Sequence, residues 1–464
     1  VYSYRWRAGA IGLSKFVRAT GGLTLMEIIK QAPSLRADDD PEVVRRVTEI
    51  INNIRQEGET AVRRLARELD DWEQDFVLSD EKRTALISQV SEQTKTDLQF
   101  AWHQIKRFAQ AQMDSLTEFE IETEPGVTLG QRLVPVGSAG CYVPGGRYAH
   151  AASALMSITT AKTAGVSKII ACSPPRGESI HPAVVYAMDL AGADVILELG
   201  GVQAIATMAF GLFDQQAVDM LVGPGNHYVA TAKRLLFGEV GIDVLAGPTE
   251  SAIIADASAD PMAIAIDLVS QAEHGPDSPV WLMTDNRHIA DEVMLLVPRI
   301  AAGMPNAEII NQAWQQHAEI VLCEDRDEMV QVSDRYAPEH LQILAADHDW
   351  WLAELRNYGS LFLGEGSTVT HGDKCSGTNH ILPTRGGSRF TGGLNVQKFV
   401  KVLTWQKIDQ AANRSMSAVG SRISRVEGME GHARACDWRL RKYFPEEDWA
   451  FDVPEMTDLE NRES

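Results

Sequence analysis

The sequence lacks the features that mark several large classes of protein. Its five cysteines, Cys141, Cys172, Cys323, Cys375 and Cys436, are scattered, form no Cys-x-x-Cys pair and leave one over. That excludes a disulfide framework and a thiolate zinc centre, and it favours a reducing compartment. Basic charge is scarce: 43 Lys and Arg stand against 64 Asp and Glu, a net charge of -21. A nucleic-acid groove or an anionic membrane surface needs a clustered basic excess, so neither is expected as a partner. No apolar run reaches the roughly 20 residues that span a bilayer. Arg5, Arg7, Lys15 and Arg18 also interrupt the stretch where a secretory signal would be uniformly apolar. The first acidic residue is Glu27, and such an Arg-bearing, acid-free start leaves an organelle transit peptide open beside the cytoplasmic location otherwise expected. A standard dinucleotide fingerprint is missing too, because its nearest candidate, Gly223-Pro224-Gly225-Asn226-His227-Tyr228, has no third glycine.

What is present suits small-molecule chemistry. An apolar content of 44% over 464 residues supports about three domain-equivalents of packed core. Residues 22 to 118 read as a helical lead-in, with apolar positions recurring at three and four in Val43-Val44-Val47-Ile50-Ile51-Ile54 and around Leu86-Ile87-Val90. From about Leu133 short apolar runs alternate with helical stretches. The runs are 168–172, 195–199 and 220–222, then 252–254, 280–283, 319–322 and 361–363. Alternation of this kind specifies parallel sheets with crossover helices, read here as two doubly wound α/β units. Three loops after expected strands are glycine-rich: Val143-Pro144-Gly145-Gly146, Gly200-Gly201-Val202-Gln203 and Gly223-Pro224-Gly225-Asn226. Each alone is an ordinary turn, but three in one unit point to a nucleotide crevice at the carboxyl ends of the strands.

Chemistry-bearing residues concentrate in three further segments. Ala337-Pro338-Glu339-His340-Leu341 sets a carboxylate beside an imidazole where an apolar strand begins, a candidate acid/base pair. Upstream lies Ser270-Gln271-Ala272-Glu273-His274-Gly275-Pro276-Asp277-Ser278, and downstream His371-Gly372-Asp373-Lys374-Cys375-Ser376-Gly377-Thr378-Asn379-His380. Together these can build a metal site beside a base. The bland alternatives are solvated loop residues and a capping histidine at His274.

With these motifs, Gly140-Cys141-Tyr142-Val143-Pro144-Gly145-Gly146 and Ala246-Gly247-Pro248-Thr249-Glu250, the chain resembles the histidinol dehydrogenase family from about residue 22 to residue 443. The resemblance implies two incomplete Rossmann-like, doubly wound domains with small helical N- and C-terminal segments. It divides the chain into an N-terminal segment 1–29, a first α/β domain of 30–141 with 251–335, and a second of 142–250 with 336–392 that carries the NAD loops. The remaining 393–464 would be a helical segment exchanged with a partner subunit, ending in an acidic tail. The implied activity is oxidation of a primary alcohol to a carboxylate in two hydride transfers, with NAD and one Zn²⁺ per subunit. Gln271, His274, Asp373 and His432 match the family's metal ligands, His432 coming from the partner of an intertwined homodimer. Glu339 and His340 match the catalytic pair, and Tyr142, Gln203 and Asn226 the cofactor contacts. Thr249, His380 and Glu427 line the substrate, together with His340 and the ligands Gln271, His274, Asp373 and His432. The bland reading of Glu427 and His432 is a solvated helix face.

Departures from the histidine-biosynthesis pattern bear on the substrate. Thr249 stands where serine is usual, Gly372-Asp373-Lys374 replaces small residues, and Arg147, Arg385 and Arg389 are added. These features resemble the paralogous branch typified by sulfopropanediol 3-dehydrogenase, and guanidinium groups suit a fixed anionic group on a small polyol such as (R)-2,3-dihydroxypropane-1-sulfonate. The arginines pairing with surface carboxylates is the competing explanation. L-histidinol is the alternative substrate, and a non-catalytic binding paralog is the third reading, against which the intact Glu339, His340 and ligand matches count.

Overall fold

All seven apolar runs expected to be strands are strands in the computed structural model, which describes residues 27–33, 41–145 and 148–449. The Arg-bearing N-terminus, Gly146, Arg147 and the acidic tail beyond Trp449 lie outside the described residues. In chain order the elements are β1 (Glu27–Lys30), α1 (Pro41–Glu57), α2 (Glu59–Asp70), α3 (Asp80–Ser88), α4 (Glu92–Asp114), β2 (Phe119–Glu124), β3 (Val127–Pro135), β4 (Ser138–Tyr142), α5 (Ala151–Thr163), β5 (Lys168–Ser173), α6 (Pro182–Ala191), β6 (Val195–Glu198), α7 (Gly201–Phe210), β7 (Met220–Val222), α8 (His227–Leu236) and β8 (Gly241–Ile242). They continue as β9 (Ser251–Ala255), α9 (Pro261–Ala272), β10 (Val280–Thr284), α10 (Arg287–Ala301), α11 (Ala307–His317), β11 (Glu319–Leu322), α12 (Arg326–Tyr336), β12 (His340–Leu344), α13 (His348–Glu354), β13 (Ser360–Leu363), α14 (Val369–Lys374), β14 (Val400–Ile408), α15 (Asn413–Val426) and α16 (Glu430–Tyr443).

Two units divide the described chain: one runs to Ser115 and resumes over Pro135–Val400, and the other takes Leu116–Val134 and the residues from Lys401 on. Both parallel sheets belong to the first. One has the order β6-β5-β4-β7-β8, and the other β1-β11-β10-β9-β12-β13, with only β1 antiparallel to its neighbour. Each is doubly wound about its first parallel strand, so strand order reverses between β4 and β7 in one sheet and between β9 and β12 in the other. Helices cover their faces, which is why β9 and β12 are buried along their whole length and why β9 carries the unbroken apolar run Ala252-Ile253-Ile254. In the helical lead-in, Val47, Ile50, Ile51 and Ile54 of α1 turn inward as their spacing requires and pack in one core with Val202, Ala206 and Leu236.

The structure corrects three expectations. Within the stretch read as helical, Glu27–Lys30 is an edge strand against β11, because four residues are too few to show a period and their partner lies far along the chain. Strands β12 and β13 extend the sheet of β9 to β11, while β4 lies in the sheet of β5 to β8, so 336–392 does not join 142–250 as grouped above. A run's hydrophobicity says that it is buried, not which strand it pairs with. The segment from 393 on is not wholly helical either. Its Val400–Ile408 is a strand that completes a three-stranded sheet in the order β14-β3-β2 with the β2–β3 hairpin. In that second unit α15 and α16 are tied by the Arg425 guanidinium, which donates to buried Asp437 at 2.6 Å.

Candidate active site

The Glu339-His340 pair is placed by a break in the chain. Helix α12 ends on Ala337, whose left-handed backbone (φ 47) returns its N–H to Ser333 O, and Pro338 cannot continue a helix. The chain therefore turns into β12 with His340 as its first residue, flanked by Ser251 of β9 and Ser360 of β13. Both side chains are buried, Glu339 at 5% and His340 at 3% exposure. Glu250, just before β9, grips them through its backbone: its N–H donates to Glu339 Oε2 at 2.9 Å, and its carbonyl lies 3.1 Å from His340 Nδ1. A carbonyl only accepts, so Nδ1 carries a proton and Nε2 is the nitrogen left for acid/base work. Nε2 stands 3.4 Å from Asp373 Oδ1.

The electrostatics follow from this geometry. Burial opposes charge on His340, but the carboxylates of Glu339 and Asp373 and the Glu250 carbonyl outweigh it and push the imidazole up to about 9. Burial likewise pushes Glu339 up to about 8 against the pull of His340. Asp373 goes the other way: burial alone would raise it, yet the bond to His340 and the nearby His380 and His274 hold its carboxyl well below the usual range.

Around Asp373, on α14, the structure gathers the residues expected as ligands and substrate contacts. His274 Nε2 is 3.9 Å from Asp373 Oδ2 and its ring is about a third exposed (31%). His380 Nδ1 donates to the Asp373 carbonyl at 2.9 Å and its Nε2 meets Ser153 Oγ at 2.8 Å. Burial holds His380, and His150 beside it, down to about 4. Gln271 is the penultimate residue of α9, three residues before His274. Its Oε1 is buried and, among the described residues, has no hydrogen-bond partner. A buried amide oxygen without a donor costs about 1–3 kcal/mol, and a cation would satisfy it. An amide oxygen, an imidazole and a carboxylate form a nitrogen and oxygen set that fits Zn²⁺. Among the described residues no three His, Cys, Asp or Glu side chains alone make a metal cluster, so the glutamine and a further donor would have to complete the set.

The glycine loops lie at the carboxyl ends of β4, β6 and β7, around the switch point of the five-stranded sheet. Gly223 must be glycine: its φ is +117, and a Cβ would sit 2.0 Å from Tyr142 O. Of the expected cofactor contacts, Asn226 is exposed and caps α8, its Oδ1 accepting from the N–H groups of Tyr228 and Val229. Tyr142 and Gln203 are buried beneath the loops. Tyr142 accepts from Gly201 N–H at 3.2 Å, and Gln203 Nε2 donates to Asp70 at 2.7 Å. The two halves of the site are neighbours, because His227, opening α8, lies 3.2 Å from Asp277 in the segment that follows Gln271 and His274.

The other expected residues are placed as follows. Thr249 is half-buried directly before Glu250. The side chain of Arg385 lies against Gly247 of the same loop, while its N–H donates to Glu250 Oε1 at 2.9 Å. Arg389 closes a short 3-10 turn near Gly386. Glu427 and His432 are exposed residues of the second unit, the first ending α15 and the second in the first turn of α16. Glu250, in the same loop as Thr249, and Ser153 join the site without any signal in the sequence. So does Asp267, one turn before Gln271, which accepts from Gln342 of β12 at 2.7 Å and from Thr368, the cap position of α14, at 2.9 Å. Asp267 thereby joins the three elements that carry Gln271, His340 and Asp373.

Known proteins resemble this chain in sequence and in fold. The family model for histidinol dehydrogenase matches residues 34–440. The chain is 51% identical to sulfopropanediol 3-dehydrogenase of Ruegeria pomeroyi over 91% of its own length and 98% of that protein. It is 40% identical to histidinol dehydrogenase of Thermus thermophilus over 86% and 95% respectively. The crystal structure of histidinol dehydrogenase from Elizabethkingia anophelis superposes with a TM-score of 0.83 at 32% identity, covering 89% of this chain and 94% of that one. Fold and relatives define an α/β oxidoreductase of the dehydrogenase class. Within that class, the chain belongs to the histidinol dehydrogenase family.

Proposed function

We propose that this protein is a zinc- and NAD-dependent dehydrogenase, an intertwined homodimer that oxidises a primary alcohol through the aldehyde to the carboxylate. The proposed substrate is a small anionic polyol such as (R)-2,3-dihydroxypropane-1-sulfonate. The observation that carries the reading is the His227–Asp277 contact, which sets the glycine loop before α8 beside the segment bearing Gln271 and His274. In this reading Gln271, His274 and Asp373 hold the metal, with His432 supplied by the second copy of the chain. Zinc, when bound, would supply a Lewis-acidic charge that favours both the deprotonated alcohol and the neutral form of the imidazole beside it, and NAD would supply the hydride acceptor.

The protein's own part is proton handling and exclusion of water. His340 Nε2 takes the hydroxyl proton, while Nδ1 stays bonded to the Glu250 carbonyl and fixes the ring. Glu339, one oxygen committed to Glu250 N–H, orients and deprotonates the water that adds to the aldehyde, and the resulting gem-diol yields the second hydride. The balance is one alcohol, one water and two NAD⁺ to one carboxylate, two NADH and three protons. Burial of both side chains keeps other water from the aldehyde. Glu339→Gln is therefore expected to slow aldehyde oxidation by roughly 10²-fold and alcohol oxidation much less. An unchanged aldehyde rate in single-turnover measurements would contradict that role.

The anionic substrate is supported by Arg385 beside the Gly247 loop and by higher identity to the Ruegeria enzyme than to the Thermus one. Arg385→Gln, which keeps the backbone N–H to Glu250, is expected to raise KM for charged alcohols by about tenfold, the worth of one guanidinium contact at about 1.4 kcal/mol, with uncharged alcohols unaffected. Equal losses on both would refute the contact. The reading as a whole is tested by initial rates of NADH formation with 2,3-dihydroxypropane-1-sulfonate and L-histidinol side by side. A kcat/KM at least a hundredfold higher for the sulfonate supports it, and the reverse preference assigns L-histidinol.

A further inference from the structure

Lys233, on α8, is the bulkiest fully buried side chain among the described residues, at 1% exposure. Its ammonium pairs with Asp243, also buried, which follows β8. Burying such a pair strips both charges of their hydration, and apolar residues of similar size often serve stability as well or better. Stability alone is therefore a poor account of a lysine here. What the pair does locally is specific: Lys233 Nζ donates to Gly223 O at 2.9 Å, and Asp243 Oδ2 accepts from Gly223 N–H at 2.7 Å. One ion pair thus holds both polar groups of the single residue whose φ of +117, and whose lack of room for a Cβ beside Tyr142 O, set the course of the loop. From there the chain runs through Pro224 and Gly225 to the exposed cap Asn226 at the switch point.

We propose that Lys233 and Asp243 are positioning residues for the dinucleotide: a buried charge clamp that fixes the Gly223 peptide, so that the loop meets the cofactor already ordered. A loop ordered in advance loses less entropy on binding, so release of the clamp should weaken affinity without new contacts being lost. The inference rests on the reading of the Gly223 loop as the cofactor loop.

The test compares wild type with Lys233→Met and with the double variant Lys233→Met/Asp243→Leu, in which no charge is left unpaired. NADH binding is followed by fluorescence titration, amide exchange is measured at Gly223, and the thermal midpoint is recorded. The clamp predicts a midpoint for the double variant within a few degrees of wild type, exchange at Gly223 at least tenfold faster, and a Kd for NADH at least tenfold weaker. Unchanged Kd and exchange in a folded variant would overturn the proposal, as would failure of both variants to fold, since the pair would then determine the fold. If the wild type itself binds no NADH, the cofactor reading fails, while Gly223 exchange still judges the clamp.

Discussion

Replacing His340 with asparagine is expected to lower alcohol oxidation by roughly 10³-fold, within the range that a positioned acid/base group supplies, without unfolding the protein or removing its zinc. Asparagine keeps an amide N–H where Nδ1 meets the Glu250 carbonyl at 3.1 Å, so the tie to the start of β9 survives. It has nothing in place of Nε2, the nitrogen 3.4 Å from Asp373, so no base remains to take the hydroxyl proton. Stopped-flow NADH formation, with metal content measured on the same preparation, checks both halves. A rate within tenfold of wild type would remove His340 from the chemistry, and loss of zinc would make it a ligand instead.

Asp373→Ala is expected to be worse. Its carboxylate faces His340 at 3.4 Å and His274 at 3.9 Å, and its low proton affinity depends on that ring of imidazoles. Removing groups that merely orient a metal ligand costs about 10- to 100-fold in metal affinity, so if Asp373 is the ligand proposed above, its loss should exceed that. The variant should purify with less than about a tenth of the wild-type zinc and reduce NAD at background rates. Asp373→Asn should show the same order of defect, because a neutral amide cannot balance the charge of a dication. Wild-type zinc content in Asp373→Ala would show that the metal is held elsewhere.

Much of this arrangement was legible in the chain. Strands buried on both faces announce themselves as unbroken apolar runs, so β9 and β10 were plain from Ala252-Ile253-Ile254 and Val280-Trp281-Leu282-Met283. The start of an apolar strand beside Glu339-His340 marked the entrance to β12. Adjacency between distant segments was not legible. Nothing local reveals that β12 lies against β9, that Glu27–Lys30 pairs with β11, or that Val400–Ile408 joins a hairpin near residue 130. For the same reason Glu250 escaped notice, since it acts chiefly through backbone groups that no sequence motif advertises. Asp267 looks like an ordinary helix carboxylate until Gln342 and Thr368 are seen to converge on it. Tyr142 and Gln203, singled out as cofactor contacts, lie under the loops, and their burial could not be read from glycine-rich surroundings.

The central claim is that one site carries out two successive oxidations, and counting NADH tests it most directly. Zinc-loaded protein is given a limiting amount of 2,3-dihydroxypropane-1-sulfonate with excess NAD, and NADH formed is compared with alcohol consumed. Two NADH per alcohol, with the carboxylate as product and no free aldehyde trapped by a carbonyl reagent, is the expected result. One NADH per alcohol, with aldehyde accumulating in solution, would contradict it and reduce Glu339 to a structural partner of Glu250.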